Sequence, residues 1–203
     1  MRRVCEVLAF IILLFLNFLN PLYAETIESV GENTEHLTEF ICGNAIVKVL
    51  THCVYCEDLP PFCVSDKQYI VLKNILSDRK QILLSSSPTY AGEKYAFLNK
   101  EKVKGKRILQ YLIVEVSCYK AKTDNKYYIE LSYYNGGNCE QCEYFELYND
   151  EGKLILTDRE KIFYKPKSFQ FNKILKKYAL EYKKFKLEGI KNLEINPCRR
   201  DKS

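Results

Sequence analysis

Lys106–Lys120, KRILQYLIVEVSCYK, decides the fold class. Ile108, Leu112, Val114, Val116 and Cys118 recur at period two, against Tyr111, Ile113, Glu115 and Tyr119, which is the repeat of a β-strand and not of a helix. Both sets are largely apolar, so the segment reads as a central strand with neighbours on each side.

Working outward, Lys126–Tyr134 alternates Tyr127, Ile129, Leu131 and Tyr133 against Tyr128, Glu130, Ser132 and Tyr134, and is expected to pair antiparallel. Glu143–Tyr148 and Lys153–Thr157 flank Asn149-Asp150-Glu151-Gly152, a turn sequence whose glycine supplies positive φ, and so predict a hairpin. Ala45–His52, Gln68–Leu76 and Lys80–Ser85 are further β-branched runs. Upstream, Asn33 or Thr34 is expected to cap a short helix ending at Gly43.

At Ser168 the period changes. Phe171, Leu175, Tyr178, Tyr182 and Phe185 follow helical spacing to about residue 188, with Ser168 as N-cap and Gly189 as the expected C-terminal left-handed residue. Lys173, Lys176, Lys177, Lys183 and Lys184 occupy the other faces of this helix. The fold class expected is therefore α+β and mostly β: an antiparallel sheet or β-sandwich-like domain with a C-terminal amphipathic helix at about 168–188.

Compartment follows from the N-terminal segment together with the cysteine count. Arg2 and Arg3, the apolar run Val7–Leu16 and small Ala24 after Pro21 have the form of an export signal over residues 1–24, leaving a single domain over 25–203. That removes Cys5 and leaves Cys42, Cys53, Cys56, Cys63, Cys118, Cys139, Cys142 and Cys198, an even set expected to form disulfides outside the cytosol. No Asn-x-Ser/Thr acceptor follows residue 24, in keeping with a periplasmic or secreted bacterial protein.

Cys53-Val54-Tyr55-Cys56 and Cys139-Glu140-Gln141-Cys142 admit three readings: a redox dithiol, a four-thiolate zinc site, or structural disulfides. Acidic Glu57, Asp58, Glu140 and Glu143 oppose the thiolate that redox catalysis needs, and an oxidising compartment opposes metal capture. Structural disulfides are favoured, with Cys139 bonded to Cys142 across a turn that Gly136, Gly137 and Asn138 permit. His36 and His52 are too few to argue a catalytic dyad, and no nucleophile elbow, phosphate loop, zinc-protease or EF-hand motif is present.

The reading is of a non-enzymatic protein binder, such as an immunity or inhibitor protein, with no cofactor, no metal and no nucleic-acid partner implied. Tyr128, Tyr134 and Tyr144 beside Gly136 and Gly137 have the composition of its contact surface. A thiol–disulfide oxidoreductase using one CxxC is the first alternative. The second is an envelope protein held on a membrane surface by the lysines of the helix: residues 161–203 carry 13 Lys+Arg against 4 Asp+Glu, whereas 25–160 carry 16 against 21.

Overall fold

A computed structural model describes residues 34–58, 61–94 and 100–193. The signal-like segment 1–24 and Cys198 lie outside the described residues, as does the side chain of Cys56.

Two antiparallel sheets face one another. Strands β1 (Thr34–Cys42), β2 (Ala45–Asp58), β3 (Pro61–Asn74) and β4 (Lys80–Leu84) follow in sequence order in the first. The second contains β7 (Leu112–Ala121), β8 (Tyr127–Tyr134), β9 (Glu143–Asn149), β10 (Leu154–Thr157) and β11 (Phe185–Asn192), in the order β10-β9-β8-β7-β11. A short ribbon of β5 (Thr89–Ala91) and β6 (Arg107–Leu109) connects them, and helix α1 (Phe169–Tyr182) precedes β11. The fold is thus the expected β-rich sandwich with one helix near its C-terminus.

Inward side chains from both sheets make the core: Val47, Val49, Ile70 and Leu72 meet Val116, Ile129, Leu131 and Tyr133. A smaller cluster of Val54, Val64, Val103 and Ile108 fills the end under the ribbon. Buried Gln68 crosses between the sheets, its Nε2 donating to Thr51 Oγ1 (2.8 Å) while its Oε1 accepts from the Ile113 N–H (2.8 Å). It satisfies a backbone donor that would otherwise be stranded in the core.

Four local expectations are corrected. Thr34–Cys42 is a strand, not a capped helix: all nine residues pair with β2, so the backbone groups are satisfied by the sheet, and Gly43 forms the hairpin turn at φ +57°. Gly43 is required twice over, since a Cβ there would also lie 2.2 Å from the Tyr127 ring. The segment Lys106–Lys120 is divided at Gln110-Tyr111 into β6 and β7. A bulge between Ile113 and Glu115 then reverses its faces, so that Tyr111 and Ile113 join Val116 and Cys118 in the core.

The helix, finally, ends at Tyr182 and not near 188. Ser168 caps its start as expected, accepting from the Phe171 N–H, but Phe185–Asn192 leaves as an edge strand on β7, and Gly189 takes no positive φ. The ladder with β7 outweighs continued helix because it satisfies an open sheet edge.

Three disulfides are formed among the described residues. Cys42–Cys118 joins the two sheets, Cys53–Cys63 joins β2 to β3, and Cys139–Cys142 closes the loop between β8 and β9 with Cα atoms 5.1 Å apart.

Candidate interaction surface

The two sheets differ in what they turn outward. The outer face of the second sheet is covered: Phe171 of α1 is 1 % exposed, Tyr178 stacks on Phe145 (5.7 Å), and Tyr182 lies edge-on to Tyr119 (4.9 Å). Beneath the helix lies a polar layer. Glu130, buried, accepts from the Tyr178 hydroxyl (2.6 Å), Glu115 accepts from Ser117 (2.9 Å), and a buried Asp158–Lys161 pair (2.7 Å) sits beside Phe145. Burial raises the Glu130 carboxyl above its ordinary value, with the Tyr178 hydroxyl opposing the shift, and burial likewise raises the hydroxyls of Tyr119, Tyr178 and Tyr182.

The outer face of the first sheet has the opposite character. Cross-strand register places its side chains in rows: Leu37, Leu50, Tyr69 and Leu84; then Glu39, Lys48, Val71 and Ile82; then Ile41, Ile46, Lys73 and Lys80. Eight of these twelve are large and apolar, yet no described helix or sheet lies over them, and Ile82 and Leu84 are 60 % and 69 % exposed. Ile75 and Leu76 at the adjoining β3–β4 turn extend the field, Leu76 being 78 % exposed.

Charges bound it at both ends. His52 and Asp66 (2.6 Å) with Lys67 lie at one, and Lys73 with Asp78 (2.8 Å) at the other. One ion pair, Glu39–Lys48 (2.5 Å), stands within the field. Four strands about 4.8 Å apart and three rows about 6.8 Å apart give roughly 400 Å² of projected area. The eight apolar positions take about two thirds of that area, interrupted by Glu39 and Lys48, and an apolar patch on this scale rimmed by polar groups is the size of the largest such patch on an ordinary monomer, which is often functional.

The tyrosine surface expected from the sequence does not assemble. Tyr144 is fully buried, stacked on Tyr133 (4.3 Å) and edge-on to Tyr111 (5.2 Å), with its hydroxyl 3.1 Å from Ser86 Oγ. It is a core residue. Tyr128 is half-buried against Phe185 (4.8 Å) on the helix side, and Tyr134, at the sheet rim, is 36 % exposed. Gly136 (φ +84°) and Gly137 instead shape the disulfide loop: a Cβ on Gly137 would lie 2.3 Å from the Cys142 sulfur.

Neither CxxC presents two free thiols. Cys53 is bonded to Cys63, and Cys139 to Cys142, with Cys139 exposed and Cys142 buried. The described residues contain no group of three or more His, Cys, Asp or Glu placed to hold a metal. Nor is any described helix long and apolar enough to cross a membrane. The chain matches no protein-family model, no curated protein and no solved structure.

The sequence carries a trace of the apolar face. Ile46 and Leu50 alternate with Val47 and Val49, and Tyr69 and Val71 with Ile70 and Leu72, so both faces of β2 and β3 are apolar although only one meets the core.

Proposed function

We propose that this chain is an exported, disulfide-stabilised protein that acts by binding another protein, in the manner of an inhibitor or immunity protein. The observation that carries the reading is the uncovered face of β1–β4, where eight large apolar side chains stand in register without a covering layer. Leaving it in water forgoes roughly 25 cal/mol for each Å² that a partner would cover.

The partner this face fits is a different chain with an apolar surface that continues around the β4 edge. A second copy laid sheet on sheet would cover roughly 400 Å² on each side, about half of what a standard interface buries per partner. A partner that also pairs with β4 or embraces Ile75 and Leu76 reaches further, and must match the Glu39–Lys48 pair. The paired cysteines and the leader-like residues 1–24 support an oxidising compartment as the place of action.

Photo-crosslinking from position 82 in the producing cells tests this. One discrete heavier adduct is expected, containing a different protein identifiable by mass spectrometry, lost with Leu84→Glu and absent from a crosslinker at position 126. Adducts with this same chain alone, or equal adducts from both positions, would overturn it.

A further inference from the structure

The outward side of α1 is a second surface, made of lysine and large apolar residues together. At 100° per residue, Phe169, Lys173, Lys176 and Leu180 fall within about 60° of one another around the helix axis. Phe171 and Tyr178, which meet the sheet side, lie on the opposite azimuth. Phe169 and Leu180 are 78 % and 54 % exposed, three turns apart on one line, and Lys173, Lys176 and Lys177 stand between and beside them, exposed.

The turn before the helix repeats the combination, with Phe163 68 % exposed and Lys165 and Lys167 exposed. Across residues 161–193 there are ten Lys and two Glu. Among the described residues, Lys173, Lys176 and Lys177 make no ion pair; Glu181 is taken by Lys184 (2.5 Å).

Single exposed apolar residues are ordinary on any protein. Two on the centre line of a basic helix face, with a third at its approach, are arranged as an interfacial helix arranges them. We infer that this face rests on an anionic phospholipid bilayer. Phe169, Leu180 and Phe163 enter the boundary between headgroups and acyl chains, while the lysine stems lie along it and carry their ammonium groups to lipid phosphates. Charge complementarity selects the occupant: a neutral surface would leave this excess of lysine without counter-charge. The helix and the apolar face of β1–β4 lie on opposite outer faces of the sandwich, so both can be occupied together, and this inference does not rest on the protein-binding one.

Vesicle flotation of the disulfide-bonded protein decides it, using phosphatidylcholine vesicles with and without phosphatidylglycerol. The protein is expected to float only with the phosphatidylglycerol vesicles. Changing Lys173, Lys176 and Lys177 to Gln should lower the partition coefficient on the order of 100-fold, at about fivefold per lysine. Phe169→Ser with Leu180→Ser should also weaken flotation while leaving retention on heparin unchanged, which separates a bilayer from a soluble polyanion. All five positions are exposed, so an unchanged thermal midpoint certifies each variant as folded. Absence of flotation with phosphatidylglycerol, or full flotation of the Ser variant, overturns the inference. Loss of flotation with Ile82→Lys and Leu84→Glu would assign lipid contact to the wrong face and overturn it equally, whereas failure of the crosslink at position 82 leaves it standing.

Discussion

Replacing Cys42 and Cys118 together by Ala should remove more stability than replacing any other bonded pair described. The bond joins β1 to β7 across the sandwich and closes a loop with a sequence separation of 76. Loop-closure entropy of a chain that long gives about 4.5 kcal/mol near 298 K. The same relation gives about 2.8 kcal/mol for Cys53–Cys63, whose separation is 10, and about 1.9 for Cys139–Cys142, whose separation is 3. A typical domain has about 5 to 15 kcal/mol in all, so the first pair is a large share of it. Urea unfolding of the wild type and the three double-Ala variants, without reductant, measures the order directly, with the m-value checking that the unfolded chain alone has expanded. A Cys42/Cys118 loss below about 2 kcal/mol, or a Cys139/Cys142 loss equal to it, would refute the reasoning from loop length.

Other outcomes follow from individual contacts. Glu130→Gln should change the pH profile of stability: because burial raises the folded carboxyl above its unfolded value near 4.5, the wild type is most favoured below that pH and loses stability as pH rises towards the raised value, a decline the Gln variant lacks. Parallel stability profiles of the two proteins in chemical unfolding between pH 4 and pH 7 would contradict this. Phe171→Ala should cost about 3 to 5 kcal/mol, read by thermal unfolding, since the ring is fully buried between helix and sheet. Gly137→Ala should hinder closure of the Cys139–Cys142 bond, because the new methyl meets a sulfur that the bond holds in place; a free-thiol assay of the oxidised protein checks it, and complete oxidation at the wild-type rate argues against the close approach. Mild reductant should open Cys139–Cys142 before the other two bonds described, as Cys139 alone among the six cysteines of these three bonds is exposed, and differential alkylation with mass spectrometry shows the order.

What could be read from the sequence was local. The Asn149–Gly152 turn, the Ser168 cap and the alternation of β8 each depend on residues within a few positions of one another, and each is found in place. What escaped depends on partners distant in the chain. Thr34 has the chemistry of a helix cap, and only its pairing with Cys53 makes it the start of a strand. Tyr182 and Phe185 keep helical spacing across the helix end, so the change to β11 is invisible until β7 offers its edge. The bulge before Glu115 sends Tyr111 and Ile113 inward against the period-two count. The candidate site was missed for a related reason: Leu50 and Val71 are apolar whether they face a core or open water, and composition does not distinguish the two.

Two of the three disulfides among the described residues are anchored in the sheet that carries the uncovered apolar rows: Cys42–Cys118 fastens its β1 side to the other sheet, and Cys53–Cys63 clamps β2 to β3. Strands held in this way have little conformational freedom left to surrender when something docks on them. Association with this face should therefore carry a small ordering penalty, and its kinetics should be those of a single encounter step without a slow folding phase. A preorganised face of this kind trades adaptability for affinity: it favours one partner shape and responds poorly to others.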